Sequence, residues 1–282
     1  MDFAYGKVIE GMRAACHGGD VMKEKYVADS VKADVLIFGS SRARMQYVPD
    51  VIEDSLGMTC YNCGYNGMGV IYHYGMTSMI FDRYTPKLII YDVLPVLEIG
   101  TRDDNIIFLN QLRPFYGRNK AIDKIFSDYD STEPLKMLAQ TYRYHSKFLE
   151  TLACCRQSDF PKKGYSPKNE TMPGDVSVEM KLDYDVDSVK LGYLEKLISF
   201  VSSKTKLIIC ASPRYGYTEC GNAFTPIEHL CKKYNVPFIN HYTDINYIHD
   251  HTLYLDATHF NNKGAEKWTK ELMGEIKPII EK

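Results

Sequence analysis

The sequence predicts an α/β protein with helices on both faces of a parallel five-stranded sheet. Two observations carry that expectation. Short, unbroken apolar runs recur, and each reads as a strand buried on both faces, as in parallel sheets. Between the runs lie stretches whose apolar residues fall three or four apart, the spacing of a helix with one buried stripe. The clearest run is Val35-Leu36-Ile37-Phe38, which passes straight into Gly39-Ser40-Ser41-Arg42. Glycine allows a sharp turn where the chain leaves a strand. Ligands of open α/β sheets bind outside the carboxyl ends of the strands, which is where these serines stand. A serine there serves equally well as a helix cap or turn residue, so this stretch alone leaves both readings open.

The elements follow in order. Pro49 starts a helix and Gly57 ends it, with Val51, Ile52 and Leu56 inward. A short strand is expected over 58–61, followed by Asn62-Cys63-Gly64-Tyr65-Asn66-Gly67-Met68-Gly69. Glycines between a strand and a helix permit close backbone approach to a ligand. Their order, G-x-x-G-x-G after the second strand, is not that of a dinucleotide fingerprint. A helix over 68–84 is closed by Pro86, and a strand over 88–91 leaves Asp92 at its carboxyl end.

From about 100 to 185 the alternation stops. Helices over 106–112 and 135–152, with a loop over 160–174, read as a mainly helical insertion. Residues 1–30 read as a peripheral helical arm. The pattern then returns. Val189, Tyr193, Leu194, Leu197, Ile198 and Val201 mark a helix, and a strand over 207–210 runs into Ala211-Ser212-Pro213-Arg214. Ile227, Leu230, Cys231 and Tyr234 mark another helix, before a strand over 236–239. The last helix starts near Asn262 and buries Ala265, Trp268, Leu272 and Ile276. The chain, 1–282, is therefore expected as a single α/β domain carrying the arm and the insertion.

Composition narrows the function. With 45% hydrophobic and 25% charged residues the chain is of globular type. A net charge of −2 gives no electrostatic footprint for nucleic acid or an anionic membrane. No apolar run reaches the roughly 20 residues needed to span a bilayer, and Met1 to Asp20 lacks a secretory apolar region. The location expected is extracytoplasmic, in the periplasm or at the cell surface, if an N-terminal anchor was trimmed, and otherwise cytoplasmic. Cys60 and Cys63 have C-x-x-C spacing, but a zinc site needs a second spaced pair, and Cys154 and Cys155 are adjacent. Both therefore read as small packed hydrophobes. In His249-Asp250-His251 neighbouring side chains on an extended loop point apart. No metal and no cofactor is expected.

The downstream signal is Leu255-Asp256-Ala257-Thr258-His259-Phe260-Asn261, just before the last helix. Asp and His three apart on a turn can share one face. Asp256 would then accept from one ring nitrogen of His259, leaving the other free to take a proton from a serine. The combination of strand-Gly-x-Ser, a Gly-rich loop after the second strand and Asp-x-x-His before the last helix resembles the SGNH (GDSL-type) hydrolase family. The resemblance covers about 34–95 and 187–275, with the insertion outside it. It implies a three-layer α/β/α, flavodoxin-like fold. It also implies Ser41 as nucleophile, with His259 and Asp256 completing a catalytic triad. The backbone N–H groups of Ser41 and Gly67 are the implied oxyanion donors, with Gly64 as second choice.

One block departs from the family. Where it carries Gly-x-Asn-Asp, this chain reads Tyr91-Asp92-Val93-Leu94-Pro95, so the side-chain oxyanion donor is unassigned. Asn66 and Arg214 are candidates for it and for substrate binding, and Arg42 is a third substrate-binding candidate, with ion pairing as its alternative role. The same departure occurs in relatives that acylate or deacylate cell-surface polysaccharides. The function expected is a serine-dependent acyl-ester hydrolase, removing O-acetyl groups from a carbohydrate. Its alternatives are an O-acetyltransferase using the same residues and a non-catalytic glycan-binding or scaffold member. The partners implied are an acyl-ester or glycan substrate and, in the transferase case, a membrane-bound acyltransferase.

Overall fold

Five short strands set the frame: β1 (Val35–Phe38), β2 (Cys60–Asn62), β3 (Leu88–Asp92), β4 (Lys206–Ala211) and β5 (Phe238–Asn240). In this computed structural model, which describes residues 1–281 except 103–104, 159, 175 and 177–183, they form one sheet in the order β2-β1-β3-β4-β5. Every pairing is parallel, with Ile37 opposite Asn62, Phe38 opposite Tyr91 and Asp92 opposite Cys210. The chain turns outward from β1 to β2 and then returns to the other side of β1. The strand order therefore reverses between β1 and β3, the point beyond whose carboxyl ends open α/β sheets bind their ligands.

Side chains alternate across the sheet. Val35, Ile37, Leu88, Ile90, Ile208, Cys210 and Ile239 share one core with Ile52, Trp268, Leu272 and Ile276. The helices Pro49–Leu56 and Asn262–Ile280 thus cover that face. Leu36, Phe38, Ile89, Tyr91, Leu207 and Ile209 point the other way and are equally buried. The helix Ser188–Ser202 packs on β4 and on the helix Thr225–Lys233, completing three layers. The strands are continuous apolar runs because both faces are covered.

The expected boundaries move slightly. β2 begins at Cys60 rather than at 58, because Thr59 is tied by its N–H and hydroxyl to the Asp34 carboxylate. β5 begins at Phe238, after Pro237, which has no N–H to donate.

Two compact units are present. The sheet unit comprises Lys32–Val70, Thr85–Arg102 and Lys162–Lys282, and a second unit, whose elements among the described residues are helical, comprises Met1–Val31, Ile71–Tyr84 and Asp103–Pro161. The expected arm and insertion are therefore parts of one helical body. Its helix Asp2–Ala14 packs against Gln140–Tyr144 and Phe148–Cys154. The single helix expected over 135–152 is instead Glu133–Lys136, Gln140–Tyr144 and Phe148–Cys154, joined in part by a 3₁₀ turn at His145–Lys147. Asp2 explains the break: its carboxylate accepts the N–H groups of Gln140 (2.7 Å) and Thr141 (2.8 Å), starting a new helix there. A helix absent from the sequence reading, Lys120–Tyr129, is capped by Asn119 and buries Ile122, Ile125 and Phe126. The last part of the expected insertion, 177–183, lies outside the described residues. Among the described residues no helix is long and apolar enough to cross a membrane.

Trp268 sits at the centre of the helix-covered core, edge-on to Tyr47 (6.2 Å), Tyr247 (6.1 Å) and His241 (5.3 Å) between ring centroids. Its indole N–H is buried with no partner among the described residues, so it stabilises by packing alone. Trp268→Ala is expected to cost about 3–5 kcal/mol, and Trp268→Phe clearly less, because it keeps an aromatic ring and leaves a smaller cavity. Urea unfolding measures both, and equal losses in the two variants would contradict a pure packing role.

Candidate active site

The site begins where β1 ends. Gly39 has a φ of +135°, and a Cβ placed there would lie 2.5 Å from the Asp92 carbonyl oxygen. Only glycine lets β1 leave the sheet this close to β3. The next residues divide two roles between two serines. Ser40 is the N-cap of the helix Ser41–Gln46, its hydroxyl accepting the Arg42 N–H at 3.4 Å. Ser41 opens the helix, and its Oγ lies 2.7 Å from His259 Nε2, across 218 residues of sequence.

His259 is held by its own turn. Leu255 and Asp256 direct their N–H groups to the His259 carbonyl (2.9 and 3.5 Å), and Tyr254 bridges to Phe260 in antiparallel fashion. The Asp256 carboxylate accepts the backbone N–H groups of Thr258 (2.8 Å) and His259 (2.9 Å). It also lies 2.9 Å from His259 Nδ1. An ionised carboxylate only accepts, so Nδ1 carries the proton and Nε2 is left to accept from the Ser41 hydroxyl. Partial burial would raise the Asp256 pKa. The hydrogen bond and charge of His259, with the two N–H groups, override it and bring the carboxyl to about 2.

The Gly-rich loop is fixed by Asn62, which is fully buried. Its amide donates to the carbonyls of Ala43 (2.7 Å) and Tyr47 (2.9 Å), and its Oδ1 accepts the Gly64 N–H (2.9 Å). Asn62 therefore pins the loop to the Ser41 segment. The same bond commits the Gly64 N–H, which removes Gly64 as an oxyanion donor in this arrangement. Gly67 lies on the exposed part of the loop with a φ of +69°, a conformation that favours glycine. Among the described residues neither its N–H nor that of Ser41 has a hydrogen-bond acceptor.

The three substrate-binding candidates fall in different places. Asn66 is exposed beside Gly67. Arg214 is half-buried, donating to the Tyr242 hydroxyl at 2.9 Å and lying 4.4 Å over the Tyr217 ring. Neither is hydrogen-bonded to Ser41, His259 or Asp256. Arg42 needs correction as a substrate contact. It is 0% exposed, and its guanidinium pairs with Asp92 (3.7 Å) and donates to the Ser212 hydroxyl (2.7 Å) and the carbonyls of Ser212 and Pro213. The helix turns Arg42 inward as it presents Ser41.

Asp92 occupies the place of the missing block and is equally buried. It accepts from the Tyr47 hydroxyl (2.6 Å) and the Ser212 N–H (3.1 Å). Burial pushes its carboxyl up, opposed by Arg42 and by these hydrogen bonds. Its side chain thus serves the interior. Two members of this network, Gln46 and Ser212, were not identified from sequence. The only available signal was that Ser212 follows β4 much as Ser40 follows β1. Among the described residues no group of three His, Cys, Asp or Glu side chains is placed to hold a metal ion. Cys60 and Cys63 are buried and form no disulfide.

Fold and site define an α/β protein with a serine, histidine and aspartate hydrogen-bonded in series beyond the carboxyl end of a parallel sheet. No protein-family model matches the chain, and no curated protein sequence matches it. Among solved structures it is similar to a structural-genomics protein from Lactobacillus plantarum, at 11% identity and a TM-score of 0.43 over 88% of this chain and 98% of that one. It is also similar to a family two carbohydrate esterase from Clostridium thermocellum in complex with cellohexaose, at 11% identity and 0.42 over 87% and 64%. An active-site mutant of a family two carbohydrate esterase from that organism gives 11% identity and 0.43 over 86% and 63%. The chain spans less than two thirds of those two esterase chains.

Because the folded pKa of Asp256 lies below the ordinary 3.8, its ionised form favours the folded state above that pH. The contribution fades as pH falls through about 2. The side chain is 52% exposed, so solvent screening keeps the effect small. Asp256→Asn should flatten the acid dependence of the unfolding midpoint between about pH 4 and 2. An acid slope identical to wild type would contradict the pairing.

Proposed function

We propose that this chain is a serine-dependent acyl-ester hydrolase acting by two-step acyl transfer. The observation that carries the reading is the unbroken series Ser41 Oγ, His259 Nε2, His259 Nδ1, Asp256 carboxylate, with links of 2.7 and 2.9 Å. Ser41 Oγ attacks the ester carbonyl while His259 Nε2 takes its proton, and Asp256 steadies the imidazolium. The tetrahedral oxyanion is received by the N–H groups of Ser41 and Gly67. Collapse expels the alcohol, which takes the proton back from His259, leaving an acyl-serine. Water, deprotonated by the same nitrogen, then attacks the acyl carbon, releasing the carboxylic acid and restoring Ser41.

The substrate class we propose is an O-acetyl group on a carbohydrate, following the resemblance to the SGNH hydrolases. A sugar hydroxyl in place of water would make the second step an O-acetyl transfer through the same residues. The inward orientation of Asp92 favours a two-donor oxyanion site and modest turnover. Loss of one such donor costs about 10²–10³ in rate in other enzymes.

The test is hydrolysis of p-nitrophenyl acetate by wild type, Ser41→Ala and His259→Ala. Both variants should lose at least about 10³-fold in kcat/KM while unfolding at the wild-type midpoint. Undiminished activity in Ser41→Ala removes Ser41 from the mechanism. Absence of turnover in wild type, with p-nitrophenyl acetate and with acetylated oligosaccharides, points to the non-catalytic glycan-binding reading. To separate water from a sugar as acceptor, an oligosaccharide is added and its mass followed for the gain of one acetyl group. A gain establishes transfer, and release of free acetate alone establishes hydrolysis.

A further inference from the structure

The helix that begins with Ser41 ends with Gln46, and Gln46 is fully buried. Its amide nitrogen donates to the carbonyl of Thr258 at 3.0 Å, the residue before His259. Its amide oxygen accepts from the Ser212 hydroxyl. The Thr269 hydroxyl lies between the carbonyls of Ala265 (2.7 Å) and Gln46 (3.1 Å), sharing its one proton with them, and its oxygen accepts the Val48 N–H at 3.0 Å. Thr269 lies on the helix that follows the His259 turn. One short helix therefore carries the hydroxyl at one end and at the other grips both flanks of the imidazole's turn.

We propose that Gln46 is a positioning residue for the reaction, setting the distance between Ser41 Oγ and His259 Nε2; this rests on the acyl-transfer reading above. Asp256 and the Tyr254 and Phe260 bridge bind the turn to itself. Those bonds fix the imidazole within the turn and say nothing of where the turn sits relative to the nucleophile. Among the described residues the bond from Gln46 to Thr258 ties the segment carrying Ser41 directly to the backbone beside His259, while the Asn262 N–H on the Lys168 carbonyl and the Met172 N–H on the Tyr254 carbonyl tie the turn to other segments. Ser212 fixes the Gln46 amide, since its hydroxyl donates to Gln46 Oε1 and accepts from Arg42 Nη2 at 2.7 Å. With the oxygen committed to Ser212, the amide nitrogen must face Thr258. Arg42 in turn is paired with Asp92. The orientation of one neutral amide is thus dictated by a buried ion pair on the neighbouring strand end.

The experiment compares wild type with Gln46→Met and Gln46→Glu. Methionine keeps the length and removes both hydrogen bonds. Glutamate keeps the acceptor for Ser212 and sets an oxygen against the Thr258 carbonyl. With p-nitrophenyl acetate both variants should lose about 10- to 100-fold in kcat, with KM within about twofold, because displacement of a reacting group slows the chemical step. The imidazole ¹⁵N spectrum supplies a readout independent of turnover. In wild type His259 Nε2 should show the shift of a hydrogen-bond acceptor, moving toward that of a free imidazole in both variants. Unchanged kcat and an unchanged His259 spectrum in both folded variants overturn the positioning role. Should wild type show no Ser41-dependent turnover, the acyl-transfer reading fails by itself. The spectrum then decides alone whether Gln46 places His259 against Ser41.

Discussion

A guanidinium without access to water governs the carboxyl edge of the sheet. Arg42 stands one residue beyond the serine that meets His259, and it is 0% exposed against Asp92. A buried charge is tolerated only when paired and hydrogen-bonded. Asp92, Ser212 and Pro213 provide those partners, and Tyr47 satisfies the other side of the carboxylate. The ends of β3 and β4 and the helix after β1 are thereby bound at one place. Asp92 sits at the end of β3, next to the close approach that demands Gly39. The turn that presents Ser41 and the ion pair beneath it are parts of the same local arrangement. A buried pair of this kind contributes less to net stability than its contacts suggest. Its role here is to set geometry: removing one partner leaves an uncompensated charge, so the segments keep one register.

The same logic explains the functional asymmetry of residues that look alike in sequence. Ser40 and Ser41 are adjacent, yet one caps the helix and the other faces an imidazole. Gly64 and Gly67 lie in one loop, yet the first N–H is committed to Asn62 and the second lies on the exposed segment. Asn62, the first residue of the Gly-rich stretch, is a purely internal fastener. In the first pair the difference is made by a bond to a residue 218 positions away, and in the second by a neighbour that is itself fastened to Ala43 and Tyr47.

That is also why some features were legible in the sequence and others were not. β1 and β3 are unbroken apolar runs, and the last helix carries its stripe at a helical period. These patterns arise locally, so the sheet, its parallel sense and the C-terminal helix could be read directly. Asp256 and His259 were readable because they share a turn. Gln46 was not: its partners Thr258 and Ser212 are 212 and 166 residues away, and a glutamine at a helix end has no local signature. Arg42 read as either substrate-facing or ion-paired, and only its contacts with Asp92 and Ser212 decide between them. The helix expected over 135–152 was broken by Asp2, 138 residues from Gln140. The helical unit as a whole joins three separated segments, and hydropathy along the chain does not reveal which of them associate.

A nucleophilic Ser41 activated by His259 is open to chemical labelling. The most direct measurement is treatment of the folded protein with a fluorophosphonate, followed by peptide mass mapping of the adduct. A single phosphonyl adduct on Ser41 is expected, absent or formed far more slowly when His259 is replaced by alanine. An adduct on another residue, or labelling of Ser41 at an undiminished rate without His259, would contradict that activation.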